Sequence, residues 1–148
     1  MTFYQKRGKR FFDILGAAFG IALLWPVMLA VALVVRLGLG SPVLFRQRRP
    51  GRAEQPFSVL KFRTMLAETH RDGRELSDGE RITRLGLLLR ATSLDELPQL
   101  WNILRGEMSF IGPRPLLERY IPFYRASERM RHSVRPGLTG WAQINGRN

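Results

Sequence analysis

The chain has no cysteine among its 148 residues. That excludes disulfides, thiol nucleophiles and thiolate-held zinc. Histidine is nearly absent too: His70 and His132 stand far apart and show no metal-ligand spacing. A bound metal would therefore need oxygen ligands, which points to magnesium, with manganese as the alternative. Lysine is scarce, with only Lys6, Lys9 and Lys61. Acidic residues number 12 against 24 basic ones, a formal net charge of +12. The positive charge is thus carried almost wholly by arginine. Its planar fork grips phosphate through paired hydrogen bonds, so phosphate-bearing partners are favoured: nucleotides, anionic headgroups or nucleic acid. The plainer alternative for any single arginine is a solvated basic face near a membrane.

What is present begins with Ile14 to Val35, an uncharged and almost wholly apolar run. About 20 such residues cross a bilayer. The run is long for a secretory signal, despite the basic Lys6, Arg7, Lys9 and Arg10 before it. Trp25-Pro26 lies near its middle, and proline deletes a backbone donor and kinks or breaks a helix. Basic residues flank both ends, with Arg36, Arg46, Arg48, Arg49 and Arg52 following. The positive-inside tendency places both flanks on the cytoplasmic side. A re-entrant helix–break–helix satisfies that; a kinked spanning helix is the alternative. The expected organisation is a membrane anchor over residues 1–40 and a catalytic domain over 41–148.

The expected fold class is α+β, mainly helical, with a small β-hairpin and interfacial amphipathic helices. Val43-Leu44-Phe45 and Phe57-Ser58-Val59-Leu60 flank a turn signal at Arg48-Arg49-Pro50-Gly51-Arg52, which predicts the hairpin. The polar stretch 68–80 reads as a mobile loop. Leu85, Leu88 and Leu89 give a helical pattern over 82–90. Ser93 opens a longer helix, with Leu94, Leu97, Leu100, Trp101 and Leu104 at helical spacing and Gly106 as its stop. A further helix is expected over 115–131, interrupted near Pro122. The closing Arg135-Pro136-Gly137-Leu138-Thr139-Gly140-Trp141 reads as irregular.

Asp95 and Glu96 are the residues that could carry chemistry. Ser93 with Glu96 three residues on is also a capping-box pattern, so a purely structural role stands beside the catalytic one. In the catalytic reading Asp95 is a carboxylate nucleophile toward phosphorus. A divalent ion on the two carboxylates would screen them from phosphate. Arg114, between Pro113 and Pro115, sits on a backbone stiffened from both sides and would lose little entropy on binding an anion.

Four stretches together resemble one family: Lys61-Phe62-Arg63-Thr64-Met65, the segment from Thr92 to Asn102, Met108 to Pro115, and Arg135 to Gln143. In this order behind a basic, apolar N-terminus, they resemble the bacterial sugar transferases called monotopic phosphoglycosyl transferases, in their short, single-anchor form. The resemblance implies transfer of a phospho-sugar from a UDP-sugar to undecaprenyl phosphate, with release of UMP and with magnesium. It implies Asp95 as nucleophile through a covalent phospho-sugar intermediate, with Glu96 completing the dyad and both near the metal. Lys61, Arg63, Arg90 and Arg114 fall where the family places bases for phosphates. Pro113, Arg135, Gly137 and Gln143 would help line the substrate pocket, and Trp25-Pro26 would mark the membrane bend. Localisation at the cytoplasmic face of the bacterial inner membrane follows from the same likeness, as does a place in exopolysaccharide, O-antigen, capsule or glycoprotein assembly. Two departures stand out. Trp25 replaces a serine often found at the bend. The sequence stops at Gly146-Arg147-Asn148, where relatives continue, so a truncated chain or a small member is expected.

Two rival classes remain. A basic module binding nucleic acid or anionic lipid fits the isoelectric point of about 11.5, but the bases are spread along the chain and no nucleic-acid-binding motif appears. A catalytically dead membrane adaptor would keep the fold, yet Asp95 and Glu96 are both retained. The sugar and the oligomeric state are open, a homodimer being compatible with the sequence.

Overall fold

The computed structural model describes residues 8–146. Lys6 and Arg7 of the basic flank, and Arg147 and Asn148, lie outside the described residues. The apolar run forms most of one helix, α1 (Lys9–Leu39), with Pro26 inside it. The expected break at Trp25-Pro26 is therefore absent as a gap in helical structure. Proline removes one N–H, the donor that would have reached the Ala22 carbonyl. The long helical stretches on either side retain their own hydrogen bonds, and unwinding more of them in an apolar medium would strand further polar groups. Its most apolar stretch has a mean hydropathy of 2.5, and α1 is long enough to cross a membrane by length and composition.

The chain divides into two compact units, and α1 contributes to both. One comprises residues 24–45 and 60–98. Its core joins Val31 and Val35 of α1 to Phe62 and Leu89, with Leu85, Leu94 and Leu97 packed against them. Leu85 and Leu89 come from α3 (Arg84–Ala91), whose first turn is capped by the Thr83 side chain accepting from the Gly86 N–H. The opposite face of α3 leaves Leu87 and Leu88 exposed.

The stretch expected to be a loop at 68–80 is more ordered than its polarity suggested. It forms a hairpin of β3 (His70–Arg71) and β4 (Arg74–Glu75), followed by α2 (Asp78–Arg81). Asp72 and Gly73 both take positive φ, 52° and 76°. That matches the tight hairpin turn for which Asp-Gly is suited. The Glu80 carboxylate accepts from the Ser77 N–H and hydroxyl, tying down the start of α2.

The second unit comprises the chain up to Leu23, residues 46–59 and everything from Gln99. Its helix α4 (Gln99–Arg105) ends at Gly106, which takes φ +86° as the expected stop. Arginines serve carbonyls at the end of α4 and just beyond it. Arg10 donates to the Ile103 and Leu104 oxygens at 2.6 and 2.8 Å, and Arg135 Nε donates to the Gly106 oxygen at 2.7 Å. The buried Asp13 carboxylate accepts from Ser109 Oγ and the Phe110 N–H, at 3.0 and 3.2 Å.

The closing segment expected to be irregular instead contains a short strand, β6 (Gly137–Thr139), parallel to β5 (Ser109–Ile111). Glycine makes this possible by backbone contact rather than by propensity. A Cβ on Gly137 would sit 2.1 Å from the Gly112 nitrogen, and one on Gly112 would sit 2.4 Å from the Arg135 oxygen. The expected helix over 115–131 is split into 3-10 turns at Glu118–Phe123 and Met130–Ser133 around a short α5 (Ala126–Arg129). Pro115 and Pro122 remove donors that a longer α-helix would need.

The predicted hairpin forms from β1 (Leu44–Pro50) and β2 (Pro56–Phe62). Arg48, Arg49 and Pro50 lie inside β1, so the turn falls later, over 51–55, where the Gly51 N–H donates to the Gln55 oxygen at 2.8 Å. The last short helix is α6 (Trp141–Asn145), with Trp141 and Ile144 exposed.

Candidate active site

Asp95 and Glu96 lie on a 3-10 turn, Leu94–Glu96, separated by Leu97-Pro98 from α4. The continuous helix expected from Ser93 is thus broken, since Pro98 supplies no N–H. Ser93 does not cap: it takes the left-handed conformation, φ 58° and ψ 16°, and its side chain makes no cap hydrogen bond. Left-handed backbone costs a non-glycine residue about 1 kcal/mol or more, and such strain gathers at functional sites. The capping-box role for Glu96 falls with it. Instead Lys61 Nζ reaches Glu96 Oε1 at 2.6 Å and lies 4.0 Å from Asp95 Oδ2.

Asp95 is only 5% exposed. Burial pushes its carboxyl above the ordinary aspartate range. Lys61 works against that shift, the neighbouring Glu96 adds to it, and Arg90 opposes it more weakly. Arg90 is fixed by donating from Nε to Thr64 Oγ1 at 3.0 Å. The cluster is therefore two adjacent carboxylates, one buried, held by a lysine at 2.6 Å and biased by an arginine. It can present a carboxylate to an electrophile while cations nearby stabilise added negative charge.

Replacing Lys61 by methionine should raise the Asp95 pKa further, because the largest lowering influence is removed. The acidic limb of the kcat/KM profile of any reaction using the Asp95 carboxylate should move to higher pH. An unmoved limb would show that Lys61 does not set the charge of Asp95.

Arg63, grouped by resemblance with the phosphate-binding bases, is used otherwise. It is 5% exposed, and its guanidinium donates to the Leu39 oxygen at the end of α1 and to the Ser41 oxygen at 2.9 Å. Orphan carbonyls at a helix C-terminus are natural partners for such a side chain.

Pro113, Arg114, Arg135, Gly137 and Gln143 lie in the other unit. Pro113 accepts from the Gly137 N–H at 3.0 Å, and the Arg114 oxygen accepts from Arg131 at 2.9 Å. Arg114 and Pro113 line a cleft together with Arg131 and His132. Gly137 is backbone scaffold for that turn, and Arg135 is engaged on Gly106. Gln143 donates weakly to the Leu138 oxygen at 3.5 Å, and its side-chain oxygen is buried without a partner. Trp25 is exposed on α1. Sequence reasoning passed over Arg131 and His132, for no motif marked them.

Among the described residues no group of three or more His, Asp or Glu side chains forms a metal cage. Magnesium does not require one: it is commonly held by one or two carboxylates together with substrate phosphates and water. Asp95 and Glu96 offer that donor set, and a cation beside them would counter the burial that disfavours the Asp95 carboxylate. The residues fit the ion.

Residues 4–148 match the family model described as bacterial sugar transferase. An uncharacterized sugar transferase of Bacillus subtilis, EpsL, is 51% identical over 140 residues, covering 95% of this chain and 69% of that protein. A UDP-N-acetylgalactosamine-undecaprenyl-phosphate N-acetylgalactosaminephosphotransferase of Aeromonas hydrophila is 43% identical, covering 92% of this chain and 33% of its own length. A UDP-glucose:undecaprenyl-phosphate glucose-1-phosphate transferase of Caulobacter vibrioides is 44% identical, with 93% and 54% covered. The chain thus spans about a third and a half of the last two proteins. The motifs around Lys61, Asp95, Arg114 and Gly137 all fall within the matched length, and the chain belongs to the bacterial sugar transferase family.

Proposed function

We propose that this chain is a phosphoglycosyl transferase that moves a phospho-sugar from a UDP-sugar to undecaprenyl phosphate and releases UMP. The observation that carries the reading is the buried Asp95 beside Glu96 and Lys61, in a chain whose relatives bear undecaprenyl-phosphate transferase names.

In the proposed first step an Asp95 carboxylate oxygen attacks the sugar-bearing phosphorus. The bond from that phosphorus to the bridging oxygen breaks, and UMP leaves with the oxygen and its electron pair. An acyl phosphate bearing the sugar remains on Asp95. In the second step a phosphate oxygen of the polyprenol attacks the same phosphorus, and the carboxylate is returned. Lys61 holds Glu96 in place and supports the charged form of Asp95, and Arg90 adds positive charge. Magnesium, held by Asp95 and Glu96, would supply positive charge opposite the diphosphate.

The acceptor's long tail keeps it in the bilayer, since each buried methylene is worth about 0.8 kcal/mol. The site must then work at headgroup level. Monotopic attachment on the cytoplasmic face of the inner membrane is the matching proposal. It is supported by the hold on both parts of α1: Arg10 and Asp13 are bonded to residues 103–110, while Val31, Val35 and Leu39 pack with Phe62 and Leu89. Straight, α1 would measure about 46 Å, well beyond a hydrocarbon core of about 30 Å.

The test uses the full chain in lipid nanodiscs with magnesium and a panel of radiolabelled UDP-sugars. Without acceptor, label should become attached to protein as UMP appears in equal amount. Undecaprenyl phosphate should then chase the label into lipid. UMP release that occurs only with acceptor, and never with labelled protein, would sink the covalent intermediate. No UMP release from any UDP-sugar would overturn the activity itself.

A further inference from the structure

Asp13 is a buried carboxylate for which the proposed chemistry at Asp95 has no use. It is 5% exposed and stands at the threshold of the apolar run of α1. A carboxylate is rarely buried unless specific partners hold it. Here the partners lie 96 and 97 positions away in sequence: Asp13 Oδ1 accepts from Ser109 Oγ at 3.0 Å and from the Phe110 N–H at 3.2 Å. Lys9, one turn earlier, joins both sides of this contact. Its Nζ lies 3.6 Å from Asp13 Oδ2 and also donates to Ser109 Oγ. Small residues continue the same face of α1. Ala17 is completely buried, a Cβ on Gly16 would lie 2.9 Å from the Phe110 ring, and one on Gly20 would lie 3.3 Å from Leu100 Cδ1.

What Asp13 grips is an open strand edge. Among the described residues β5 pairs with β6 alone, and on that side the Ser109 N–H donates to the Pro136 oxygen. Successive N–H groups of a strand point to opposite edges, so the Phe110 N–H faces the edge without a strand. A buried donor left bare there would be costly, and the Asp13 carboxylate takes the place of a third strand. Its reach extends past β5. Gly112, Pro113 and Arg114 follow Ile111 directly. Their turn is closed from the other side by the Gly112 N–H on the Thr139 oxygen and the Gly137 N–H on the Pro113 oxygen, both at 3.0 Å, and by Arg131 on the Arg114 oxygen at 2.9 Å. Toward α1, the packing of Phe110 is non-directional and tolerates sliding. The two hydrogen bonds to Asp13 are directed and do not.

We propose that Asp13 is a positioning residue for the transfer reaction: through Ser109 and the Phe110 N–H it sets where the 112–115 turn presents the Arg114 guanidinium. The role holds only if the chain is the transferase proposed above. Arg114 stands between two prolines, whose rings fix the backbone, so a displaced β5 would carry the guanidinium with it. In this arrangement α1 does two jobs. Its apolar surface serves the bilayer, and its Lys9–Asp13 end holds a basic turn of the folded domain. Asp13 itself touches no substrate.

The experiment measures kcat and KM for UMP release by the full chain in nanodiscs, comparing wild type, Asp13→Asn, Arg114→Lys and the double variant. Asparagine keeps the side-chain volume and one acceptor oxygen but loses the charge facing Lys9. Asp13→Asn is expected to lower kcat/KM about tenfold, a modest case of the loss that follows a misplaced group. The change should fall in the same parameter, kcat or KM, that Arg114→Lys moves. In the Arg114→Lys background the same substitution should cost less than about twofold, because the two residues act as one unit. In an Arg90→Lys background the full loss should remain. Equal losses in both backgrounds would reduce Asp13 to a structural acid and overturn the role, as would wild-type kcat/KM in folded Asp13→Asn protein. Should Asp13→Asn fail to fold, Ser109→Ala removes one of the two strand contacts and no charge, and runs through the same cycle. Where Arg114→Lys is too slow for a rate, hydrogen exchange decides. Residues 109–115 should exchange about tenfold faster in Asp13→Asn while the 84–91 helix keeps its wild-type rate. Unchanged exchange over 109–115 would overturn the role. A wild type that releases no UMP fails the transferase reading before any variant is compared, so the two failures are told apart.

Discussion

Asp95→Asn is expected to abolish sugar-phosphate transfer, by about 10⁴-fold or more, the scale of loss when a group acting directly on the reacting atoms is removed. Asparagine keeps the shape and removes the nucleophilic charge. The same substitution should stabilise the protein at neutral pH. The folded Asp95 carboxyl titrates above its unfolded value, chiefly through burial. Its stabilising contribution is therefore present below the unfolded pKa and is lost as pH rises through the folded one. At pH 7 the wild type carries a buried charge at a cost; the asparagine variant does not. Thermal melts in detergent at pH 7 should place the variant above wild type, with the gap closing in acid. A lower melting point at pH 7 would mean that the attraction of Lys61 outweighs burial. Loss of activity together with a gain in stability is what a functional carboxylate in a dry site predicts, and a mere structural acid would not give it.

Gly86→Ala should destabilise the unit that holds Asp95 by about 3 kcal/mol, the upper end of the cost of overpacking. A Cβ at Gly86 would lie 1.8 Å from the Thr64 oxygen. The obstruction is backbone, so no side chain can swing aside, and α3 must move away from the strand end. Thr64 also anchors Arg90 through its hydroxyl at 3.0 Å. The displaced arginine would support the Asp95 carboxylate less well, and the acidic limb of activity should shift upward. Gly79→Ala is the control. It lies within α2, and the closest atom to a Cβ there is Ser77 Oγ at 4.0 Å. Alanine there should be neutral or stabilising by about 1 kcal/mol. Urea unfolding followed at fixed detergent concentration separates the two. Equal stabilities for both variants would refute the close contact of α3 with Thr64.

Some elements were legible because their signal is local. The apolar run predicted α1, and the spacing of Leu85, Leu88 and Leu89 predicted α3, although Leu88 is exposed. The paired apolar stretches predicted β1 and β2. Others were misread because a local signal was outvoted by partners remote in sequence. Ser93 and Glu96 spell a cap, yet Lys61, 35 positions away, takes Glu96. The glycine- and proline-rich close of the chain looks irregular, yet β5 gives it a partner, and its glycines are needed for backbone contact. Asp72-Gly73 was a hairpin signal available in the sequence and hidden by the polarity around it.

The sequence by itself determined the long apolar helix, the arginine-borne charge and the family, with Asp95, Glu96, Lys61 and Arg114 named through its motifs. These follow from hydropathy, composition and short-range order, which any reading of the chain retains. Only the tertiary structure shows what each base touches. Arg63 is spent on the α1 carbonyls, Arg135 on Gly106, and Lys61 on Glu96. Burial likewise sets Asp95 apart from Glu96, since solvent exclusion depends on Leu94, Leu97 and their neighbours closing into a core. His132 illustrates the same limit. One isolated histidine carries no pattern, and only folding buries its ring beside Arg114 and Arg131 and leaves Nε2 without a hydrogen-bond partner.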